Sequence, residues 1–469
     1  MLLPPTVPAY RIVGACGAAL LAVAGTAVGA LPVDDTGTPW PAGPHRYAGP
    51  ALLAGFVGLT LLVAAWWWAG RDLSDPSASR RGAVVTLTCW AAPLLLTPPL
   101  FSRDAYSYLA QGAMVLADLD VYRFGVARLG GRLAAEVPEM WQQTPAPYGP
   151  VFLGVSAAVS AVAGTGVGLG LLGLRLVALL GVALLVLFVP RLARHCGVDP
   201  AAALWLGVLN PLVPLHLIAG AHNEALMLGL LVAGLCLAFE RSYLPAAVLV
   251  TLAALVKAPA AVGLVVVALL AARHHGRWPA VWRTTAAATA TTIVVTWAAG
   301  TGYGWLTALG TPLYRHSWSI SSALGRATVH IMQTNGLDPG DGPMRFWLWA
   351  GLLGAVATAA YAWWRRRALG LAYALGLVLA AAALLGPATR PWYGLWGLVP
   401  IAAGAPGRTV RLLAAIGAAV LAFVTLPSGF GPQPRQFALA ALGVLFGLIT
   451  AGYLRLLLIP RRPLEVDRR

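Results

Sequence analysis

Five short polar stretches interrupt an otherwise apolar chain, and each carries side chains that can do chemistry. Residues 101–112, FSRDAYSYLAQG, place Asp104, Tyr108 and Gln111 at i, i+4 and i+7, one face of a helix that Ser102 can cap. Residues 219–227, AGAHNEALM, put His222, Asn223 and Glu224 in a turn between two apolar segments. Lys257 in LVKAPA is the only lysine beside 31 arginines. LYRHSWSISS supplies Arg315 and His316, and ATRPWYGLWG supplies Arg390, Trp392 and Tyr393. A carboxylate, several cations and aromatic walls are the parts needed to move a group from a phosphate to a hydroxyl. The carboxylate accepts the hydroxyl proton, and the cations hold the departing phosphate.

Each group also has a plainer reading. Asp104 in a first turn complements the helix dipole, Glu224 suits a solvated turn that caps the following helix, and Lys257 fits an ammonium snorkelling to an interface. Ionisable groups at membrane ends are costly unless they pair or serve a site. The case for a site therefore rests on the set.

The elements that must position this set are membrane helices. Hydrophobic residues make up 59% of the 469 and charged residues 10%, with a mean hydropathy of +0.76. Apolar runs of about 18 residues or more recur, which excludes a soluble protein and predicts an all-α polytopic membrane protein with the lipid bilayer as partner. The net charge of +16 would suggest nucleic acid in a soluble chain, but 20 of the 32 basic residues fall in short loops on one side of the predicted spans. That pattern is a topology signal, with no nucleic-acid partner implied. Ten of the sixteen acids fall on the other, outer side.

The pattern predicts one domain over residues 1–469 with about 12–14 spans, near 11–31, 49–69, 83–101, 166–189, 201–219, 225–240, 243–257, 259–272, 284–300, 346–364, 368–386, 392–406, 409–427 and 436–456. Residues 150–164 fit a further span or a half-helix. Two large outer loops follow, 102–149 and 301–345. Residues 103–122 read as an amphipathic helix whose apolar stripe, Ala105, Leu109 and Met114, lies on the membrane surface. Trp141, Tyr148, Trp392 and Tyr393 gather at the outer level, where an interfacial belt and carbohydrate stacking both use such rings. Asp118-Leu119-Asp120 has the DxD spacing of metal-bound nucleotide-sugar sites, but no further carboxylate supports it. No metal site and no required cofactor are expected, a divalent cation there being the lesser alternative.

Five motifs, FSRDAYSYLAQG, DLDVYRFG at 118–125, WQQTPAPYGP at 141–150, AGAHNEALM and RPWYGLWGLVP at 390–400, occur in this order over about residues 83–400. In them the chain resembles the actinobacterial polyprenyl-phosphomannose-dependent alpha-1,6-mannosyltransferases of the MptA/MptB type. The resemblance implies a GT-C glycosyltransferase fold, with short amphipathic helices in its extracytoplasmic loops and an essential aspartate opening the first large outer loop. Asp104 holds that position. It further implies a polyprenyl phosphomannose donor, a mannan glycolipid acceptor and inversion at the sugar, on the outer face of the plasma membrane. On that basis Asp104 is the base, with His222, Asn223, Glu224 and Tyr108 supporting it. Lys257, Arg315, His316 and Arg390 hold the donor phosphate, and Trp141, Tyr148, Trp392 and Tyr393 contact sugar or acceptor. The chain is shorter at its C-terminal end than the family pattern. A transferase for polyprenyl-phosphate arabinose or glucose would carry the same base and cations, and a lipid or solute transporter is a more distant alternative. A helix start lowers a carboxylate's pKa, which predicts that Asp104 is ionised but weakly basic.

Overall fold

A computed structural model of the chain describes residues 7–34, 38–43, 46–72, 80–308, 319–405 and 407–458. Arg315 and His316 lie outside the described residues. Among the described residues there are helices and no strands. The longer helices are α1 (Ala9–Val28), α2 (Ala48–Asp72), α3 (Arg80–Ala91), α4 (Asp104–Leu116), α5 (Pro150–Ala163), α6 (Val167–His195) and α7 (Pro200–Gly207). They continue as α8 (Glu224–Phe239), α9 (Tyr243–Val256), α10 (Gly263–His275), α11 (Arg277–Ala299), α12 (Ile320–Thr334), α13 (Gly342–Leu369), α14 (Leu371–Leu385), α15 (Gly394–Gly404), α16 (Arg408–Leu421) and α17 (Pro434–Leu458).

Helix α2 packs between α1 and α17, while α6, α8 and α9 pack in series and α14 lies on α15. Small residues make the closest crossings. A Cβ on Gly17 of α1 would lie 2.6 Å from the Gly58 carbonyl oxygen of α2, and one on Gly181 of α6 would lie 2.2 Å from the Ala225 backbone of α8.

Among the described residues, six helical segments are long and apolar enough to cross a membrane, Ala9–Val28, Ala48–Arg71, Val167–His195, Ala258–His275, Gly342–Leu369 and Pro434–Leu458. The chain is a multi-pass membrane protein. The bent pair Val213–Ala219 and Glu224–Phe239 passes the same test only when taken together and turns by 111°, the geometry of a broken span or a re-entrant loop. The remaining predicted spans are not single long apolar helices. Pro150–Ala163, Tyr243–Val256 and Leu371–Leu385 have 14 or 15 residues, and predicted span 83–101 is divided between α3 and the 3-10 turn Ala92–Leu96. A 14-residue helix is about 21 Å long, short of a hydrocarbon core of about 30 Å.

Prolines account for several breaks, and the breaks make the site. Pro98 and Pro99 precede Asp104, Pro211 and Pro214 introduce the π-helical turn Val213–Ala219, Pro259 follows Lys257, and Pro391 follows Arg390. Each ring removes an N–H donor and disfavours helix before it, leaving backbone groups that need partners. Arg175 of α6, only 3% exposed, supplies several of those partners. Its guanidinium donates to the carbonyls of Leu95 at 2.7 Å, Thr97 at 2.6 Å and Ala219 at 3.2 Å, so one cation ties the ends of two interrupted segments together.

Helix α4 departs from the expected surface helix. Ala105, Leu109 and Met114 are fully buried, and Ser160 of α5 donates to the Leu109 carbonyl at 3.0 Å. Gly112 abuts the Ser156 carbonyl, where a Cβ would approach to 2.3 Å. The apolar stripe faces protein because α5 and α6 cover it.

Candidate active site

Asp104 is aimed by the residues on either side of it. Phe101 adopts a left-handed φ of 64°, and its N–H donates to the Pro427 carbonyl at 2.7 Å. For a bulky residue that conformation is strained, and such strain gathers at functional sites. Ser102 Oγ accepts from the Asp104 N–H at 3.0 Å. Arg103 turns away, donating to the Leu31 carbonyl at 2.6 Å and pairing with the buried Glu136 at 3.4 Å. Glu136 in turn accepts from the N–H groups of Val33 at 2.7 Å and Asp34 at 3.2 Å. This clasp fixes the loop after α1 to the loop after α4.

The turn between the π-helical segment and α8 delivers the second group. Ala221 has a left-handed φ of 53°, and His222 follows it, fully buried. His222 Nδ1 lies 3.2 Å from the Tyr108 hydroxyl, 3.8 Å from Asp104 Oδ2 and 4.0 Å from Glu224 Oε2. Trp392 stacks on the imidazole at a centroid distance of 3.8 Å and an angle of 22°. Three of the five motifs thus meet at one ring.

Lys257 forms an ion pair with Glu224, whose carboxylate is fully buried. The ammonium faces Tyr393 at 4.2 Å, Trp396 at 5.5 Å and Tyr148 at 5.7 Å from the ring centroids. Tyr148 reaches it because the PYGP turn can touch α9: a Cβ on Gly149 would sit 2.2 Å from the Leu255 carbonyl oxygen. The expected free, phosphate-seeking lysine is therefore a partnered one. Arg390 is different. It is half-buried, acts electrostatically on both Asp104 and His222, and has no ion-pair partner among the described residues.

Electrostatics also reverse one expectation. Burial pushes the Asp104 carboxyl above its ordinary value of 3.8, against the opposing pull of Arg390, Lys257 and the Ser102 hydrogen bond. The side chain is 26% exposed, so a carboxylate of raised proton affinity remains open to a ligand.

Among the described residues, buried polar atoms without a hydrogen-bond partner cluster here, including His222 Nε2, Glu224 Oε2, the Asn223 amide, Gln111 Oε1 and Trp392 Nε1. Natural folds leave few such atoms, so their concentration leaves hydrogen bonds here for a ligand or ordered water to complete. Trp141 lies on the short helix Glu139–Gln142, half-buried against the core. The DxD pair has another job. Asp120 Oδ1 accepts from the Tyr122 and Arg123 N–H groups at 3.0 and 3.2 Å, an Asx turn, and Asp118 is exposed at a φ of 53°. Among the described residues no three His, Cys, Asp or Glu side chains are grouped to hold a metal.

The model for "Alpha-(1->6)-mannopyranosyltransferase, N-terminal domain", the MptA/MptB family, matches residues 11–273. The chain belongs to the alpha-(1->6)-mannopyranosyltransferase family. The model for the MptB C-terminal domain matches residues 321–455 of this mannosyltransferase, so its likeness extends on both sides of the motif region 83–400. The mannosyltransferase is 34% identical to a probable alpha-(1->6)-mannopyranosyltransferase of Mycolicibacterium smegmatis over 96% of this chain and 87% of the relative. It is 37% identical to alpha-(1->6)-mannopyranosyltransferase A of Mycobacterium tuberculosis over 77% and 72% of the two chains. Identity to alpha-(1->6)-mannopyranosyltransferase B of Corynebacterium glutamicum is 32%, over 92% and 80%.

Sequence reasoning passes over Arg103, Glu136, Arg175 and His216. Arg175 has a signal, being the sole charged residue between Glu139 and Arg191. His216 is buried beside His222 and Trp392, with ring centroids 6.3 and 5.3 Å away. Nothing in its apolar surroundings, VPLHLIA, distinguishes it from a packing residue.

Proposed function

We propose that the enzyme transfers mannose from polyprenyl phosphomannose to the primary hydroxyl of an alpha-1,6-mannan glycolipid, on the outer face of the plasma membrane and with inversion at the anomeric carbon. The observation that carries this reading is the pairing of a partly open carboxylate of raised proton affinity, Asp104, with the Arg390 guanidinium, which acts on it and has no ion-pair partner among the described residues. Asp104 accepts the proton of the acceptor hydroxyl as the oxygen bonds to the anomeric carbon. The bond from that carbon to the phosphate oxygen breaks, and its electron pair leaves with polyprenyl phosphate. Arg390 neutralises the charge that develops there. Arg315 and His316, on the second large loop, are assigned to the same phosphate.

A phosphate leaves without needing a proton, so one carboxylate suffices and Glu224 is free to balance Lys257. That balance keeps the Lys257 ammonium charged beside the donor while limiting how much it adds to phosphate binding. His222, fixed by Tyr108 and Trp392, orients Asp104 and offers Nε2 to a sugar hydroxyl. Tyr148, Tyr393 and Trp141 supply sugar-stacking surface. No cofactor is assigned to the reaction.

The test is purified enzyme with radiolabelled polyprenyl phosphomannose and a short alpha-1,6-mannoside, with and without EDTA. An elongated alpha-1,6 product whose yield EDTA leaves unchanged supports the reading. Transfer only from polyprenyl-phosphate arabinose or glucose would reassign the sugar.

A further inference from the structure

At the far end of α10 from Lys257 lies a cavity of about 790 Å³ between α10, α11 and α13, reaching the start of α14. Its walls are apolar or small, among them Leu264, Ala268, Thr285 and Ala288, and its rim carries Arg273, Arg277, Arg366 and Arg367. Among the described residues, no aspartate or glutamate lines it. Two one-residue turns, Gly276 at φ 81° and Gly370 at φ 80°, bring the four cations to a single rim.

Helix chemistry explains three of them. Arg273 ends α10 and Arg366 and Arg367 end α13, where cations complement the dipole, and Arg366 also donates to the Trp363 carbonyl at 2.5 Å. Arg277 does not fit that explanation. It is the first residue of α11, where the dipole disfavours a cation, and three further guanidiniums share its rim. Such a cluster needs a counter-charge.

Exposed tryptophans locate the rim. Trp278, Trp282 and Trp364 are 84%, 73% and 72% exposed beside these arginines, as rings are at the head-group level of a bilayer. The groove below the rim is lined by α10 and α13, two of the membrane-crossing helices. An occupant must therefore carry an anionic phosphate at the interface and a hydrocarbon chain below it.

We propose that this groove binds an anionic membrane phospholipid, its phosphodiester held by Arg273, Arg277 and Arg367 and one acyl chain lying between α10 and α11. The volume suits a head group with the upper part of one chain. This site is separate from the one around Asp104, since the intervening segment Ala258–His275 runs 18 residues, about 27 Å.

The experiment is native mass spectrometry of the full-length protein in detergent, offered equal phosphatidylglycerol and phosphatidylcholine. Wild type is expected to retain phosphatidylglycerol over phosphatidylcholine by roughly tenfold or more. Arg273→Gln/Arg277→Gln/Arg367→Gln should bring that ratio close to one. Thr285→Trp, which fills the groove at an exposed position and keeps every charge, should lower phosphatidylglycerol retention as well. Equal retention of both lipids by wild type, or an undiminished preference in Thr285→Trp, would overturn the proposal. Added decaprenyl phosphate should displace little phosphatidylglycerol at equal concentration. Complete displacement would overturn the choice of a phospholipid.

Discussion

Lys257 and Glu224, 33 positions apart, form a buried ion pair with the Tyr393 ring against the ammonium. Breaking a buried pair from one side leaves an uncompensated charge, at a cost of about 3–5 kcal/mol, whereas replacing both partners is far milder. Lys257→Met alone should lower thermal stability markedly, and Lys257→Met/Glu224→Gln should recover most of it. Differential scanning fluorimetry in detergent reads this directly. If the double variant is no more stable than the single, the two groups do not act as a pair.

Arg390 should behave in the opposite way. Half-buried and without an ion-pair partner among the described residues, it contributes little to the fold, so Arg390→Ala should retain its melting temperature while losing about 10²–10³-fold in kcat/KM for the lipid donor. Arg390→Lys should recover part of that loss, because a point charge replaces a planar fork. Unchanged donor kinetics in Arg390→Ala would remove it from the phosphate site.

Arg175 is a stability prediction without a chemical role. Arg175→Met strands the carbonyls of Leu95, Thr97 and Ala219, each of which accepts from a charged donor. A loss of about 3 kcal/mol or more is expected, seen as a lower melting temperature and weak expression. Wild-type stability would mean that those carbonyls find other partners.

The motifs are legible in the sequence because each is a polar interruption marked by proline or by a lone charge. FSRD, HNEA, Lys257 and RPWY can therefore be set on one side and grouped from the charge pattern alone. Their pairing cannot. That Glu224 meets Lys257 depends on the 111° bend before α8, and that Trp392 covers His222 depends on how α8 and α15 sit together. Hydropathy reads some segments as single helices because it does not register where a proline or a 3-10 turn divides them, as at Ala92–Leu96. The basicity of Asp104 is hidden for a related reason. A helix start is visible locally, whereas burial comes from residues far along the chain.

That burial fixes a pH dependence. The Asp104 carboxyl has a higher pKa folded than its ordinary 3.8, so the protonated form is favoured by folding. The stability it contributes is present below the ordinary value and is lost as pH rises through the raised one, leaving the ionised group a cost at neutral pH. The acid limb of kcat/KM should accordingly fall above 3.8, as the base is lost to protonation. A limb at or below the ordinary carboxylate value would show that burial does not govern this group.

The most direct measurement is transfer from polyprenyl phosphomannose by Asp104→Asn, alongside its melting temperature. The amide keeps the shape and removes the base together with its buried charge. Transfer should fall by about 10²–10⁴-fold, with a melting temperature equal to or above that of wild type. A folded Asp104→Asn enzyme that transfers mannose at close to the wild-type rate would contradict the assignment of Asp104 as the base.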